Sequence, residues 1–249
     1  MKKLCLISLF FLMAFGLPPK KTRVWLIGDS TMSIKDPRAF PETGWGMPFA
    51  NFFDSSVAVD NRAKNGRSTQ SFIDEGLWKP VLDNLSEGDY VFIQFGHNDE
   101  VPTKKTYTTE EQFKNNLTRY VNESRSKKSI PVLITPVARR KFDSTGHIVG
   151  THEVYSEIVR SVAKQLNVPL IDLDKKSQAL LQQMGDEDSK VLFNHLQPGE
   201  HPNYPQGKID DTHFSELGAR KMAEIVLAEV RSLKLSLADH IYQPPVKKQ

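Results

Sequence analysis

The chain has 249 residues, of which 39% are hydrophobic and 25% charged, a balance typical of a soluble globular protein rather than a disordered or fibrous one. Its 33 basic and 30 acidic residues leave a formal net charge of +3, too small an excess to indicate nucleic acid as the partner. No internal repeat or low-complexity linker divides the chain. We therefore predict one domain over residues 18–240, followed by a loose C-terminal tail over residues 241–249.

The N-terminal segment has the pattern of a secretory signal peptide. Lys2 and Lys3 precede an apolar run that ends near Leu17, shorter than the roughly 20 residues that a membrane span needs. We expect residues 1–17 to be removed, which gives a secreted or periplasmic bacterial protein without stable membrane insertion. The single cysteine, Cys5, would leave with this segment, and a cysteine-free mature chain suits an oxidising compartment. The alternative is a buried N-terminal helix or strand.

Five apolar runs are typical of strands buried on both faces, because they lack clear polar alternation. In chain order they cover residues 24–27, 57–59, 90–95, 131–135 and 169–173. Stretches with helical spacing alternate with them. This alternation predicts an α/β fold, a three-layer α/β/α sandwich around a five-stranded parallel sheet.

Three apolar stripes with helical spacing predict helices that face the core. They lie near residues 113–121, 154–166 and 222–233, the last of them after an N-cap at Ser215. The middle stripe consists of Val154, Ile158, Val162 and Leu166.

Polar segments follow three of the predicted strands, and a fourth precedes the last helix. They are residues 28–31, 61–68, 96–99 and 210–213. Ligands of open α/β sheets bind beyond the carboxyl ends of the strands, and so these segments can meet in one site. Each segment alone is also compatible with an ordinary turn or capping loop. Their joint occurrence in this order favours a shared functional site.

The residue types in these segments suit nucleophilic catalysis. Ser30 lies at a predicted strand-to-helix turn, where its hydroxyl would be exposed beside a helix N-terminus. A serine needs a base, and His213 can supply one. Asp210 can orient the imidazole from the same short turn, while Asp211 competes for that role.

Acyl transfer also needs hydrogen-bond donors for the oxyanion of the tetrahedral intermediate. The backbone N–H groups of Ser30 and Gly66 and the side-chain amide of Asn98 can supply three. Gly66 suits this use because a residue without Cβ lets the backbone approach a substrate.

The four segments together resemble the blocks of the SGNH (GDSL-like) hydrolase superfamily. The resemblance implies a flavodoxin-like fold, with Ser30, Gly66, Asn98 and His213 as the name-giving residues. By the same resemblance, Asp210 completes a Ser-His-Asp triad.

A closer resemblance is to the rhamnogalacturonan acetylesterase family. The segments that carry it are IGDSTM, the Gly-Trp-Gly of residues 44–46, NRAKNGRSTQSF, QFGHND, the segment 135–142 and DDTHF. The resemblance implies a secreted serine esterase that deacetylates a pectic polysaccharide, most simply rhamnogalacturonan, through an acyl-enzyme and without a cofactor. The same chemistry on acetylated xylan or another small acyl ester is one alternative, and a non-catalytic polysaccharide-binding module is another.

The substrate that the resemblance implies is an acetylated acidic polysaccharide or oligosaccharide. Such a substrate predicts contacts with arginines, which match carboxylates, and with aromatic rings, which stack on sugars. The residues predicted to bind substrate are Trp45, Arg67, His97, Arg139 and Arg140, with Trp78, Lys141 and Phe142 as weaker cases. The alternatives are core packing for the tryptophans and a solvated run beside a hairpin turn at residues 143–146 for the cations.

Other site classes find no support in the sequence. There is no G-x-S-x-G elbow, dinucleotide-binding G-x-G-x-x-G, Walker A or H-E-x-x-H motif. The spacing of His195, His201, Asp210 and His213 fits no compact metal-ligand pattern. We therefore predict neither a metal nor a cofactor.

Overall fold

The computed structural model of the protein describes residues 21–243. The predicted signal peptide, residues 1–17, lies outside this range, as do residues 244–249 of the predicted tail. Five parallel strands form one sheet in the order β2-β1-β3-β4-β5. The strands are β1 (Thr22–Gly28), β2 (Val57–Asn61), β3 (Tyr90–Gln94), β4 (Ile130–Ile134) and β5 (Leu170–Ile171).

The strand side chains alternate between two buried cores. Val24 and Leu26 of β1 pack in one core, whereas Trp25 and Ile27 pack in the other. Because both faces of the sheet are covered, apolar residues occupy both sets of alternating positions. This is why the strands read as continuous apolar runs in the sequence.

Helices cover both faces of the sheet. One core contains side chains of α1 (Gly46–Phe49), α6 (Leu173–Ser189) and α7 (Glu216–Ser232). The other contains side chains of α2 (Thr69–Asp74), α3 (Trp78–Asn84), α4 (Glu110–Ser126) and α5 (Glu153–Gln165). Short 3-10 helices span Pro37–Ala39, Ala50–Phe52, Lys190–Leu192 and Ser236–His240. The predicted three-layer α/β/α sandwich with a five-stranded parallel sheet is confirmed.

The helical stripe predicted near residues 154–166 faces the core except at its first residue, since Val162 is buried and Ile158 and Leu166 pack against the same core. Val154 is 52% exposed, and the buried face of α5 contains Tyr155, Val159 and Val162. Tyr155 takes the buried position expected for Val154, with its ring 4.9 Å from that of Phe113 on α4.

The domain continues past the predicted boundary at residue 240. Ile241 is buried and forms an antiparallel bridge with Phe53, and the Tyr242 N–H donates to the Phe52 carbonyl at 2.8 Å. The predicted loose tail is therefore wrong for residues 241 and 242, because Ile241 belongs to one of the cores.

The strand order locates the binding edge of the sheet. β2 lies on one side of β1, and β3 lies on the other. The order in which successive strands are added to the sheet therefore changes direction between β1 and β3. Ligands of open α/β sheets bind at such a switch point, beyond the carboxyl ends of the strands. No helix within residues 21–243 is both long and apolar enough to cross a membrane.

Candidate active site

Ser30 lies two residues beyond β1, in a single turn of backbone. The Ser33 N–H closes the turn by donating to the Asp29 carbonyl at 3.1 Å, and the Asp29 side chain accepts from the Thr31 N–H at 3.0 Å. The next helical element begins only at Pro37. The expected helix N-terminus beside Ser30 is therefore wrong.

The Gly44-Trp45-Gly46 segment packs closely against this turn. A Cβ at Gly44 would lie 2.1 Å from the Ser33 carbonyl oxygen, so the close approach requires glycine. Trp45 is completely buried, and its indole N–H donates to Gln94 Oε1 at 2.5 Å. The prediction that Trp45 binds substrate is wrong, because this side chain fills the core under the turn.

His213 reaches Ser30 from the loop that precedes α7. The next residue, Phe214, is completely buried with its ring 5.4 Å from that of Phe193, and its carbonyl accepts the Thr43 N–H at 2.9 Å. These contacts fix the backbone of the loop. His213 Nε2 lies 2.9 Å from Ser30 Oγ, within reach for a base that takes the hydroxyl proton.

Asp210 holds the opposite side of the imidazole. Its Oδ2 lies 2.9 Å from His213 Nδ1, and its Oδ1 accepts from the backbone N–H groups of Thr212 and His213 at 2.9 Å each. Burial favours the neutral acid, but the His213 ring and the two backbone donors outweigh it and hold the pKa of the Asp210 carboxyl well below its usual range. The carboxylate thus stays charged, as a group that stabilises an imidazolium must.

Asp211 points to the other side of the same loop. Its Oδ1 lies 2.7 Å from Arg140 Nη1 and 2.8 Å from His195 Nε2. The structure therefore brings Asp210, and not Asp211, to the His213 ring.

Gly66 and Asn98 occupy the loops after β2 and β3. Gly66 has φ +76°, in a turn closed by the Arg67 N–H and the Lys64 carbonyl at 3.3 Å. Asn98 Nδ2 donates to the Arg67 carbonyl at 3.0 Å, and its Oδ1 accepts from Lys104 Nζ at 2.7 Å. These bonds fix the orientation of the amide, which retains a second N–H for a ligand.

These groups line an open cavity of about 580 Å³, which we call the serine pocket. Its lining consists of Ser30, Glu42, Asn65, Gly66, His97, Asn98, Val101, Lys104, Arg139, Thr212 and His213. All of these residues except Gly66 and Val101 carry polar or charged side chains. Such a lining suits a small acyl group on a hydrophilic carrier better than a long acyl chain.

The remaining aromatic residues weighed for sugar stacking lie elsewhere. Trp78 is buried, with its indole N–H 2.5 Å from Glu123 Oε2. Phe142 packs under the Arg140 guanidinium, 5.7 Å from ring centroid to Cζ, in the predicted hairpin, where it pairs with Ile148.

Arg67 and Arg140 do not line the serine pocket. Arg67 Nε donates to Glu75 Oε2 at 2.9 Å, and its Nη1 donates to a backbone carbonyl at 2.9 Å. Arg140 is buried and forms ion pairs with Asp186 and Asp211. The prediction that Arg140 binds substrate is wrong in this structure, because Asp186 and Asp211 occupy its buried guanidinium group. The substrate role of Arg67, whose side chain is 32% exposed, stays a prediction.

His97 and Arg139 do line the pocket, and their substrate roles remain predictions. The buried ring of His97 lies edge-on to that of His152, with 4.3 Å between centroids. Burial above all, together with His152 and Arg139, lowers the pKa of His97 well below its usual value. Arg139 Nη2 lies 3.1 Å from Glu100 Oε1, and 31% of the Arg139 side chain is exposed.

Sequence reasoning missed a group of ionic residues beside His213. Glu42 Oε1 lies 4.0 Å from His213 Nε2 and 2.7 Å from Lys35 Nζ. Lys208 Nζ lies 3.4 Å from both Glu42 Oε2 and Asp210 Oδ2. Burial favours the neutral form of Glu42, but Lys35 and His213 hold its pKa below the usual value. The only sequence signal for Glu42 is its position two residues before the Gly-Trp-Gly segment.

Glu42, Asp210 and His213 are the one group within residues 21–243 whose ligand atoms lie close enough, within 4.8 Å, to share a metal ion. Two lysine ammonium groups already contact its carboxylates and oppose a further cation. His195 and His201, which we weighed as ligands, do not belong to this group.

Comparison with known proteins gives concordant results. The GDSL-like Lipase/Acylhydrolase family matches residues 26–221. The chain is 44% identical to rhamnogalacturonan acetylesterase RhgT of Bacillus subtilis (strain 168), over 89% of this chain and 95% of that protein. It is 33% identical to the probable rhamnogalacturonan acetylesterase YesY of the same organism, over 88% of this chain and 96% of that protein.

A solved structure shares the fold. The acetylxylan esterase Axe2 of Geobacillus stearothermophilus superposes with a TM-score of 0.60 at 17% identity, over 85% of this chain and 94% of that one. Fold and family together define an ester hydrolase. The chain belongs to the GDSL-like Lipase/Acylhydrolase family. The resemblance found in the sequence and the prediction of a carboxylic ester hydrolase are thereby confirmed.

Proposed function

We propose that this protein is a serine esterase that removes O-acetyl groups from a pectic polysaccharide, rhamnogalacturonan. The observation that carries the proposal is the unbroken hydrogen-bonded chain from Ser30 Oγ through the His213 ring to Asp210, with 2.9 Å at each step. Nucleophile, base and orienting carboxylate thus stand in the arrangement that acyl transfer requires.

In the acylation step, Ser30 Oγ attacks the acetyl carbonyl carbon while His213 Nε2 takes the hydroxyl proton. Asp210 stabilises the imidazolium that results. The backbone N–H groups of Ser30 and Gly66 and the Asn98 amide receive the oxyanion. Collapse of the intermediate breaks the ester bond, and the imidazolium returns the proton to the departing sugar oxygen.

Deacylation repeats these roles with water as the nucleophile. His213 takes a proton from a water molecule that attacks the acetyl-Ser30 carbonyl. Collapse of this second intermediate releases acetate and returns the proton to Ser30 Oγ. The chemistry needs no group beyond these side chains and backbone donors.

The relatives and the pocket support the choice of substrate. The relative that is 44% identical carries the name rhamnogalacturonan acetylesterase, and Lys104 and Arg139 line the serine pocket. A polar rim with cations suits a glycan that carries carboxylates. We propose an acetylated acidic polysaccharide or its oligosaccharides as the partner.

Replacement of the nucleophile tests the chemistry. We expect Ser30→Ala to lower kcat for acetate release by roughly 10⁴–10⁶-fold, because removal of a triad member costs this much in other serine hydrolases. Ser126→Ala, at an exposed position on α4, is the matched control and should behave as the wild type. Near-normal acetate release by Ser30→Ala would overturn the assignment.

A comparison of polymers tests the substrate. Acetate release is measured at equal acetyl content on acetylated rhamnogalacturonan, homogalacturonan and xylan. We expect the highest kcat/KM on rhamnogalacturonan. Equal or higher kcat/KM on xylan would replace the pectic substrate by acetylxylan and leave the mechanism intact.

We also propose export of the protein through the N-terminal residues 1–17. The support is the sequence itself, two lysines followed by an apolar run. Expression in a bacterial host with mass determination of the secreted or periplasmic product gives the mature N-terminus. An uncleaved chain in the cytoplasm would contradict this proposal.

A further inference from the structure

Lys35 carries a charged side chain that is buried from solvent. Its side chain has no exposed surface, although lysines are almost never fully buried. An ammonium group carries three N–H donors, and the structure offers one acceptor for each. Lys35 Nζ lies 2.5 Å from the Ser30 carbonyl oxygen, 3.1 Å from Asn65 Oδ1 and 2.7 Å from Glu42 Oε1.

The three acceptors belong to three different segments of the proposed site. Ser30 is the nucleophile and one backbone donor of the oxyanion hole. Asn65 immediately precedes Gly66, the second backbone donor. Glu42 stands in the pocket wall beside His213. One ammonium group therefore links the segments on which acyl transfer depends.

The Gly66 turn needs such a link because little packs against it. No atom beyond Gly66 and its two chain neighbours lies within 4 Å of the Cβ position of Gly66, and the residue is exposed. Hydrogen bonds hold the turn instead. Arg67 Nη1 donates to the Asn65 carbonyl at 2.9 Å from one side, and Lys35 holds the Asn65 side chain from the other.

The position is costly for a cation. Burial lowers the pKa of Lys35, and the neighbouring Glu42 carboxylate opposes this shift. Buried ion pairs contribute little to stability compared with apolar packing of the same volume. A role confined to stability therefore explains the residue poorly, whereas a role in geometry uses all three donors.

We propose that Lys35 is a positioning residue for the oxyanion hole. It holds the backbone of Ser30 and the Asn65–Gly66 turn at a fixed separation, so that both N–H groups point at one oxygen atom. The proposal rests on the proposed function, since it requires a tetrahedral intermediate at Ser30.

Two variants distinguish an effect of Lys35 on the geometry of the oxyanion hole from an effect on the stability of the protein. Lys35→Met removes the ammonium but leaves Glu42 without its nearest cation, and this variant can lose stability for that reason alone. Lys35→Met/Glu42→Gln removes both charges of the buried pair. If Lys35 served stability only, the double variant would regain both melting temperature and kcat.

Activity is measured with p-nitrophenyl acetate, and affinity with methylboronic acid, whose trigonal boron becomes tetrahedral when Ser30 Oγ adds to it and then mimics the intermediate. We expect the double variant to melt near the wild type, while kcat stays about 100-fold lower, as for misplaced oxyanion donors. KM should stay within about threefold, because the donors act in the transition state. The boronate should bind more weakly by about the same factor as kcat falls.

Lys79→Met is the matched control, because Lys79 forms an exposed pair with Asp83 on α3. It should retain wild-type kcat and boronate affinity. Recovery of kcat together with melting temperature in the double variant would overturn the proposal. So would a loss of kcat with unchanged boronate affinity.

A second pair of variants decides the matter if the double variant does not fold. Asn65 is exposed, so Asn65→Ala removes the Lys35 acceptor on the turn with little risk to folding. Ser33 Oγ contacts the same oxygen and also lies 3.3 Å from the Ser30 carbonyl oxygen. Ser33→Ala removes these contacts and leaves both bonds of Lys35 in place. We expect Asn65→Ala to lower kcat and boronate affinity by at least about tenfold, and Ser33→Ala by less. Wild-type values in Asn65→Ala, or equal losses in both, would overturn the proposal.

The failure of this inference is distinct from failure of the proposed function. An active Ser30→Ala variant would refute the serine mechanism itself. An inactive Ser30→Ala together with a fully active Lys35→Met/Glu42→Gln would refute only the role of Lys35.

Discussion

Two cavities flank the loop that carries Asp210 and Asp211. The serine pocket lies on the Asp210 side. The cavity on the Asp211 side, which we call the flanking cleft, measures about 880 Å³ against about 580 Å³. Its lining consists of Arg140, Lys190, Val191, His195, Leu196, Gln197, Pro198, Gln206, Gly207, Lys208, Ile209 and Asp211.

Each cavity is lined by a histidine that pairs with an aspartate. His213 lines the serine pocket and pairs with Asp210, whereas His195 and Asp211 both line the flanking cleft and pair with each other, with 2.8–2.9 Å between partners. Only in the serine pocket does a hydroxyl group, that of Ser30, lie at the second nitrogen of the ring, because the lining of the flanking cleft contains no serine, threonine or cysteine. The comparison teaches that neither cavity volume nor a His–Asp pair identifies the reactive site. The group at the second nitrogen of the histidine ring distinguishes the two cavities.

The largest expected difference between the two regions concerns the histidines. We expect His213→Ala to lower kcat for p-nitrophenyl acetate by roughly 10⁴–10⁶-fold, because the serine loses its base. His195→Ala should stay within about threefold of the wild type, since no nucleophile adjoins that ring. Comparable losses in both variants would refute the contrast.

The two aspartates sharpen the same contrast. Asp210→Asn should lower kcat by roughly 10⁴-fold, because the amide cannot stabilise the imidazolium as a carboxylate does. Asp211→Asn should change kcat by less than about tenfold and lower the free energy of unfolding by about 1–3 kcal/mol through its contact with Arg140. Kinetics and urea denaturation of both variants test this. A larger kcat loss in Asp211→Asn would transfer the orienting role to Asp211.

Asp99, the residue after Asn98, adds a pH dependence of stability. Asp99 has no exposed surface, and burial raises its pKa to about 7. The unfolded carboxyl titrates near its ordinary value, so the native state binds the proton more tightly. The stabilisation is complete below about pH 4 and is lost as the pH rises through about 7.

Asp99→Asn should remove this dependence, because an amide does not titrate and its oxygen can still accept from the Thr69 N–H, which lies 2.9 Å away in the native protein. We expect the wild type to lose about 2–3 kcal/mol more than the variant between pH 5 and pH 8 in urea denaturation. The exposed Asp83→Asn is the control. Parallel curves for wild type and Asp99→Asn would contradict the burial argument.

The smallest expected effect concerns two adjacent arginines. Arg139 lines the serine pocket and Arg140 the flanking cleft. Arg139→Gln should raise KM for acetylated rhamnogalacturonan about tenfold and leave KM for p-nitrophenyl acetate unchanged, since only the polymer carries carboxylates. Arg140→Gln should lower the melting temperature without a change in KM, because its partners are Asp186 and Asp211. An equal rise of KM on both substrates in Arg139→Gln would argue against contact with the glycan.

Much of the architecture could be predicted because it depends on local pattern. Apolar runs buried on both faces gave the five strands, and the strand ends placed the segments of Ser30, Gly66 and Asn98 at one edge. On α5 the stripe was wrong only at Val154, because the edge of the face that a helix buries depends on its partner. Here the Tyr155–Phe113 contact decided it.

The substrate side could not be predicted in the same way. Trp45 and Arg140 have the residue types that bind sugars and carboxylates, yet the fold buries one and pairs the other with acids of the chain. Burial and ion pairing depend on residues remote in sequence, such as Gln94 for Trp45. Residue type alone therefore leaves the binding role open.

The sequence by itself determined the fold class, the family and the residues from which a Ser-His-Asp site can be built, because periodicity and motif order are properties of the chain. Only the tertiary structure decided that Asp210 rather than Asp211 meets His213, since the direction of successive side chains depends on the turn. Only the tertiary structure brought Lys35 and Glu42 into the site. Their ion pair is formed by residues outside every motif, and a buried charge acquires its partners only when the chain folds.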